Sequence, residues 1–377
     1  MIEKYYDGAI EQVAAGLGTV EKNHLLVRYS GQFSVENLND TKQLEKNEDI
    51  FVQVHEFETG EITCAYEPYL TMICDGFRRY MTGTFEEFME TCDVYYLHRP
   101  VLLGYFNQDN TGREEIILLD EVAYEQERML AALERMLCAI ADRHPVLFVL
   151  NRFQLASKST MQLTARFLKC ENCNIGLVLG VSDIQAMPEF LVPDWEMLYE
   201  TLDDGSKIYH IGNSGRKKEE TIDDEKYVDY GSEKVYRKLQ NMVEFLDFDQ
   251  AAYYLETIER KIKFDNLLVD DAARFRMWLL FVKVSILRQD IPKALEICED
   301  LEKIHLAGKE EECAYEQDYL IATAYMYQGK LRLWRWQEKH TASPGKCPMI
   351  TGCFYPNCWR QRSRCPAGIT SFSVHRM

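Results

Sequence analysis

The chain has 377 residues, is 46% hydrophobic and 28% charged, and carries a formal net charge of −18. That composition excludes a disordered or fibrous chain, and the length allows two or three domains with sizeable cores. It holds no run of about 18 apolar residues, so no helical membrane span is expected, and its acidity argues against broad binding to nucleic-acid phosphates.

Residues 1–20 (MIEKYYDGAIEQVAAGLG and on) read as an acidic amphipathic helix without the basic start of a secretory leader, so a cytoplasmic location is expected. HLLVRYSG (His24 to Gly31) reads as a strand, followed by a polar stretch with helix character to Asn47. IFVQVHEF (Ile50 to Phe57) alternates and is rich in Val and Phe, which marks a second strand. A helix is expected from Pro68, and HRPVLLGYF reads as a short strand or a buried loop.

The strongest periodicity lies in DEVAYEQERMLAALERMLCAIADRH. There Met129, Leu130, Leu133, Met136, Leu137 and Ile140 form one apolar helix face. This helix leads into PVLFVLNRFQLAS, an apolar strand (Val146 to Leu150) ending at the polar corner Asn151-Arg152. A helix capped by Ser157 or Ser159 follows, then the strand NIGLVLGVSD, Asn174 to Asp183. Helices alternating with apolar strands predict an α/β fold with a parallel sheet.

Residues 216–234 read as a polar linker, and helices are expected from 235 to 331. Two segments there match, LDFDQAAYYLETIE and LRQDIPKALEICED, each with an Asp four residues before an Ala: Asp247/Ala251 and Asp290/Ala294. A third copy begins at YMYQGKL with Gly329 in the Asp position, and the intervals of 43 and 39 residues suit paired-helix repeats of the tetratricopeptide sort. A plain helical bundle is the alternative.

Residues 332–377 differ sharply, with eight Lys and Arg against one acid, Glu338, and three of the five Trp. Cys347, Cys353, Cys358 and Cys365 have gaps that fit no common zinc pattern. The segment reads as an out-of-frame tail: across Gly352 to Arg360 a shifted frame permits an apolar, helix-compatible string. A zinc module and a basic nucleic-acid arm are its alternatives.

A phosphate-binding loop needs GxxxxGK[ST] after a strand, because glycine amides and a lysine surround the phosphates. RYSGQFSVENLND offers one glycine, Gly31, and no lysine. At the end of Val146 to Leu150, Asn151 lacks the negative charge that a magnesium-bound water needs, and Arg152 repels a metal. After the next strand stands Val181-Ser182-Asp183, without arginine. Cys170 and Cys173 form a lone CxxC without a matching second pair, so no metal is expected. His144 is explained by a helix end, and His55 and His210 by strand positions.

The segment from Glu121 to Asp183, with EPYLTMICDGFRRY, resembles the STAND-type (AAA-like) regulatory ATPases that carry tetratricopeptide repeats. It is similar to the group of the maltose-regulon activator and related LuxR-type bacterial regulators. The resemblance implies residues 1–215 as a P-loop-NTPase-like sheet domain, 235–331 as a repeat array that receives signals through protein contacts, and an output domain beyond. It places the nucleotide-site positions at Gly31, Asn151, Arg152 and Asp183, where the family's lysine, acids and arginine are missing. The expectation is a non-catalytic regulatory or scaffold module of a bacterial signalling or transcription-regulatory protein, with no bound cofactor. Nucleic acid would be contacted through a missing output domain or the tail. The alternatives are an ATP-binding switch using Gly31, Asn151 and Asp183, and zinc or nucleic-acid binding by the tail.

Overall fold

In a computed structural model, the described residues run from Ile2 to Ala324, with Tyr327 beyond. Short stretches within 20–48 and 59, 109–120, 171–173, 183–186, 204–206, 212–228, 266, 302 and 305–317 fall outside the description. So do 325–326 and the whole of 328–377, which include Gly329 and the four tail cysteines.

Five strands form one sheet: β1 (Leu25–Tyr29), β2 (Phe51–Glu56), β3 (Val146–Asn151), β4 (Ile175–Ser182) and β5 (Lys207–Ile211). Their spatial order is β2-β3-β4-β1-β5, and every neighbouring pair is parallel. All six residues of β3 and all eight of β4 are buried, as continuous apolar runs in a parallel sheet require. The α/β class and the parallel sheet expected from the sequence are therefore present.

Helices cover both faces. On one side α1 (Ile2–Gly16) lays Tyr6, Ile10 and Val13 against Leu25, Val27, Leu147, Val149 and Val178. Phe148, on the opposite face of β3, meets Tyr69 of α2 (Tyr69–Tyr80) at a ring separation of 4.7 Å and Phe167 at 6.5 Å. Alternate residues of one strand thus anchor the helices of opposite layers. The second layer also holds α5 (Val122–Ala141), whose predicted apolar face is fully buried, and α6 (Lys158–Lys169). Gly76 of α2 lets that helix approach Ile140 and Phe51 closely; an added methyl would lie 2.9 Å from the Ile140 side chain.

Between α2 and α5 lie α3 (Phe85–Thr91) and α4 (Arg99–Asn107). The latter corrects the expectation that HRPVLLGYF is a strand or loop. Pro100 sits in its first turn, where a fixed φ and a missing N–H suit a helix start, and Gln108 closes it in the left-handed region. The apolar run was too short to show its period. After β4 comes α7 (Val192–Asp203), then β5.

Among the described residues after β5, four helices follow: α8 (Glu233–Glu244), α9 (Phe248–Phe264), α10 (Asp271–Leu287) and α11 (Ile291–Leu301). The two segments matched in sequence adopt the same turn. In the first, Leu246 has φ 66°, its N–H bonds to Val243 O and the Asp247 N–H bonds to Met242 O. In the second, Gln289 has φ 64°, its N–H bonds to Ile286 O and the Asp290 N–H bonds to Ser285 O. Both are Schellman closures of one helix, with the Asp carboxylate capping the next. Ala251 and Ala294 are completely buried.

Gln289 is exposed and holds a conformation that costs an L-residue about 1–2 kcal/mol. Gln289→Gly is expected to raise stability by about 0.5 kcal/mol after the glycine's greater unfolded-state freedom is offset. A rise in the urea midpoint checks it. At Leu246, which is 2% exposed, the same change removes buried apolar surface and should destabilise.

Candidate functional site at the carboxyl edge of the sheet

Open parallel sheets bind ligands outside the carboxyl ends of their strands, at the point where strand order reverses. Here that point lies around β1, which sits between β4 and β5 although it comes first in the chain. Asn151 ends β3 at this edge, and Arg152 follows it with φ 54°, so the chain turns sharply into a short 3-10 turn, Phe153–Leu155. Gly31 and Asp183 lie outside the described residues, so the four predicted positions reduce to Asn151 and Arg152.

Asn151 is completely buried, and both ends of its carboxamide are engaged. Its Oδ1 accepts from the Tyr29 hydroxyl at 2.7 Å, and its Nδ2 donates to Phe33 O at 3.1 Å. This fixes the amide orientation and ties β3 to the segment after β1. Burial pushes the Tyr29 phenol up to about 12, against the opposing pull of Arg152, so it stays neutral and serves as the donor. Phe33 packs on the rings of both Tyr6 and Tyr29 at 5.3 and 5.7 Å. Burial also raises the Tyr6 phenol, with Tyr29 and Glu56 adding to the effect. A methyl group at Gly180 of β4 would collide with the Tyr6 hydroxyl and lie 2.6 Å from Asn151 Oδ1, so glycine is needed for this approach.

Arg152 pairs with Glu56, Nε to Oε1 at 3.4 Å. Glu56 ends β2 beside Asn151, and its other oxygen accepts from the Ser34 hydroxyl at 2.7 Å and the Val35 N–H at 3.1 Å. Gln154 bonds in both directions with the backbone of Ser182, extending the contact between β3 and β4. Glu56, Tyr29, Tyr6 and Gln154 were not identified from the sequence. Their roles depend on partners far away in the chain, and only the acid at the end of an alternating strand was a local sign for Glu56.

Beside this edge, the start of α6 is joined to the helices after β5. Three successive N–H groups there have side-chain acceptors. Lys158 N bonds to Gln250 Oε1 at 3.2 Å, Ser159 N to Asp247 Oδ2 at 3.0 Å and Thr160 N to Ser157 Oγ at 3.2 Å. Ser157 is therefore the cap of α6, and Asp247 is a second acceptor supplied by another helix pair. The other Asp247 oxygen accepts from Gln250 N at 3.4 Å, so one buried carboxylate serves two helix starts. Burial raises its pKa, opposed by the hydrogen bonds to Ser159 and Gln250. Lys158 reaches Asp249 and Asp194. Nearby, Gln126 donates to Leu246 O at 2.7 Å and Ala65 N to Asn241 Oδ1 at 3.2 Å.

A cleft of about 430 Å³ opens between α2, α4 and α8. Its polar lining is largely engaged with itself: Arg78 with Asp75 and Phe106 O, and Gln240 with Glu244. No group of three or more His, Cys, Asp or Glu side chains able to hold a metal occurs among the described residues. His144 stacks on Tyr80 at 4.1 Å, an aromatic contact beyond the helix-end effect expected. His55 stands against Phe57 at 4.5 Å, with its pKa lowered by burial. No helix among the described residues is long and apolar enough to cross a membrane. No protein-family model matches the chain, and no curated protein matches it.

Proposed function

We propose that the chain is a regulatory module related to the STAND-type ATPases, in which the nucleotide corner has become a structural joint. It acts through protein contacts made by a tetratricopeptide-like array, as part of a cytoplasmic bacterial signalling or transcription-regulatory protein. The strand order, with β1 between β4 and β5, and the paired Schellman turns support this architecture. The observation that carries the non-catalytic reading is Asn151. Its acceptor and donor are both taken by Tyr29 and Phe33 within a fully buried site, leaving it unable to hold a metal-bound water without dismantling the corner. The Glu56–Arg152 pair takes up the nearest acid in the same way.

The seating of Asp247 on the start of α6 supports a switch read through contacts between helices, since displacing it would expose two helix starts at once. Titration of the full chain with ATP and Mg²⁺ tests the proposal. No saturable binding below millimolar ATP and no phosphate release are expected. Micromolar, magnesium-dependent binding with turnover would overturn it.

A further inference from the structure

Cys170, the first cysteine of the CxxC, meets a thiol from elsewhere in the fold. Cys138, near the end of α5, places its Sγ 3.5 Å from the Sγ of Cys170, the residue that closes α6. Both side chains are half-buried thiols, within reach of a small reagent. The contact is one of two successive rungs: one turn earlier on each helix, Arg166 Nε pairs with Glu134 at 2.7 Å. The helices therefore run side by side in the same direction, and the sulfurs meet where both helices end. A disulfide needs sulfurs about 2.05 Å apart, so closing the bond requires the two side chains to rotate toward each other, with the Arg166–Glu134 rung holding the helices alongside.

We propose that Cys138 and Cys170 are a redox modification site, forming a reversible disulfide that joins α5 to α6. A low-molecular-weight disulfide of the glutathione type is the oxidant. One protein thiolate attacks it, forming a mixed disulfide and releasing one small thiolate. The second protein thiolate then attacks the protein sulfur of that bond and expels the other small thiolate. Two electrons pass to the oxidant, and the two protons from the cysteines end on the released thiols. Contact with Cys170 and burial both hold the Cys138 thiol far above its ordinary pKa. A scarce thiolate makes the first attack slow.

The test incubates the full chain with glutathione disulfide, alkylates remaining thiols and maps the peptides by mass. The expected product links the Cys138 and Cys170 peptides, is reversed by dithiothreitol and raises Tm by about 5 °C. Cys173→Ser should retain the bond, and Cys138→Ser should abolish both bond and Tm shift. Glutathione adducts alone, a bond from Cys170 to Cys173, or a Tm shift surviving in Cys138→Ser would each overturn the proposal. Mapping the unaltered chain decides the matter even where a variant folds poorly.

Discussion

Replacing Asp247 by alanine is expected to lower stability by about 3 kcal/mol, measured by urea unfolding. The carboxylate is 4% exposed and accepts from Ser159 N and Gln250 N, one oxygen to each. Loss of a helix cap costs about 0.5–2 kcal/mol, and an N–H left buried without a partner adds a similar penalty. Asp247→Asn retains one acceptor oxygen but presents an NH₂ group to the other N–H, so it should recover roughly half the loss. Amide exchange at Ser159 and Gln250 provides the local readout: both should lose protection in the alanine variant. A loss under about 0.5 kcal/mol would show that the two starts are held by other groups. Asp290, whose exposed carboxylate accepts from Lys293 N and, among the described residues, from no second helix start, provides the contrast. Asp290→Ala should cost about 1 kcal/mol, the ordinary value of a single cap.

The second large effect is expected from Asn151→Asp, the change that places an acid at the corner. The Tyr29 hydroxyl can still donate to it, but an ionised carboxylate faces the Phe33 carbonyl with no proton between them. Burial and this oxygen both disfavour the anion, so the new carboxyl's folded-state pKa lies above its unfolded value of about 3.9. The sign follows from proton counting. The folded variant binds more protons than the unfolded one, so its stability falls as pH rises. Below the unfolded pKa, the protonated carboxyl donates to Phe33 O and the deficit relative to the original chain is small. Moving from pH 5 to pH 8, the deficit should grow to about 2–4 kcal/mol. Denaturation curves across that range check it; a pH-independent difference would mean that the carboxyl reaches water.

Much of the fold was visible in local patterns. The run VLFVL made β3 legible because a strand buried on both faces has no polar alternation to lose. The Met129-to-Ile140 periodicity made α5 legible, and the repeated Asp–x₃–Ala pattern marked two helix starts that the structure realises. The order of the strands was not legible, because β1, β3 and β4 are about equally apolar and only long crossovers decide which become neighbours. The site was less visible still. The strand end marks Asn151 as a corner without an acid, but its partners Tyr29 and Phe33 stand more than a hundred residues earlier. The repeat marks Asp247 as a helix start, whereas its bond to Ser159 spans 88 residues and leaves no local trace.

The position of β1 between β4 and β5 also constrains how the chain can be made. Leu25–Tyr29 leave the ribosome before their hydrogen-bonding partners on either side, Val178 to Ser182 and Lys207 to Ile211. During synthesis this apolar strand has both edges unpaired while β2 and β3 appear and pair with each other. Pairing of β1 therefore waits for β4 on one edge and β5 on the other, while β2 and β3 can already pair with each other. Non-local closure of this kind is slow and leaves strand edges exposed while it waits.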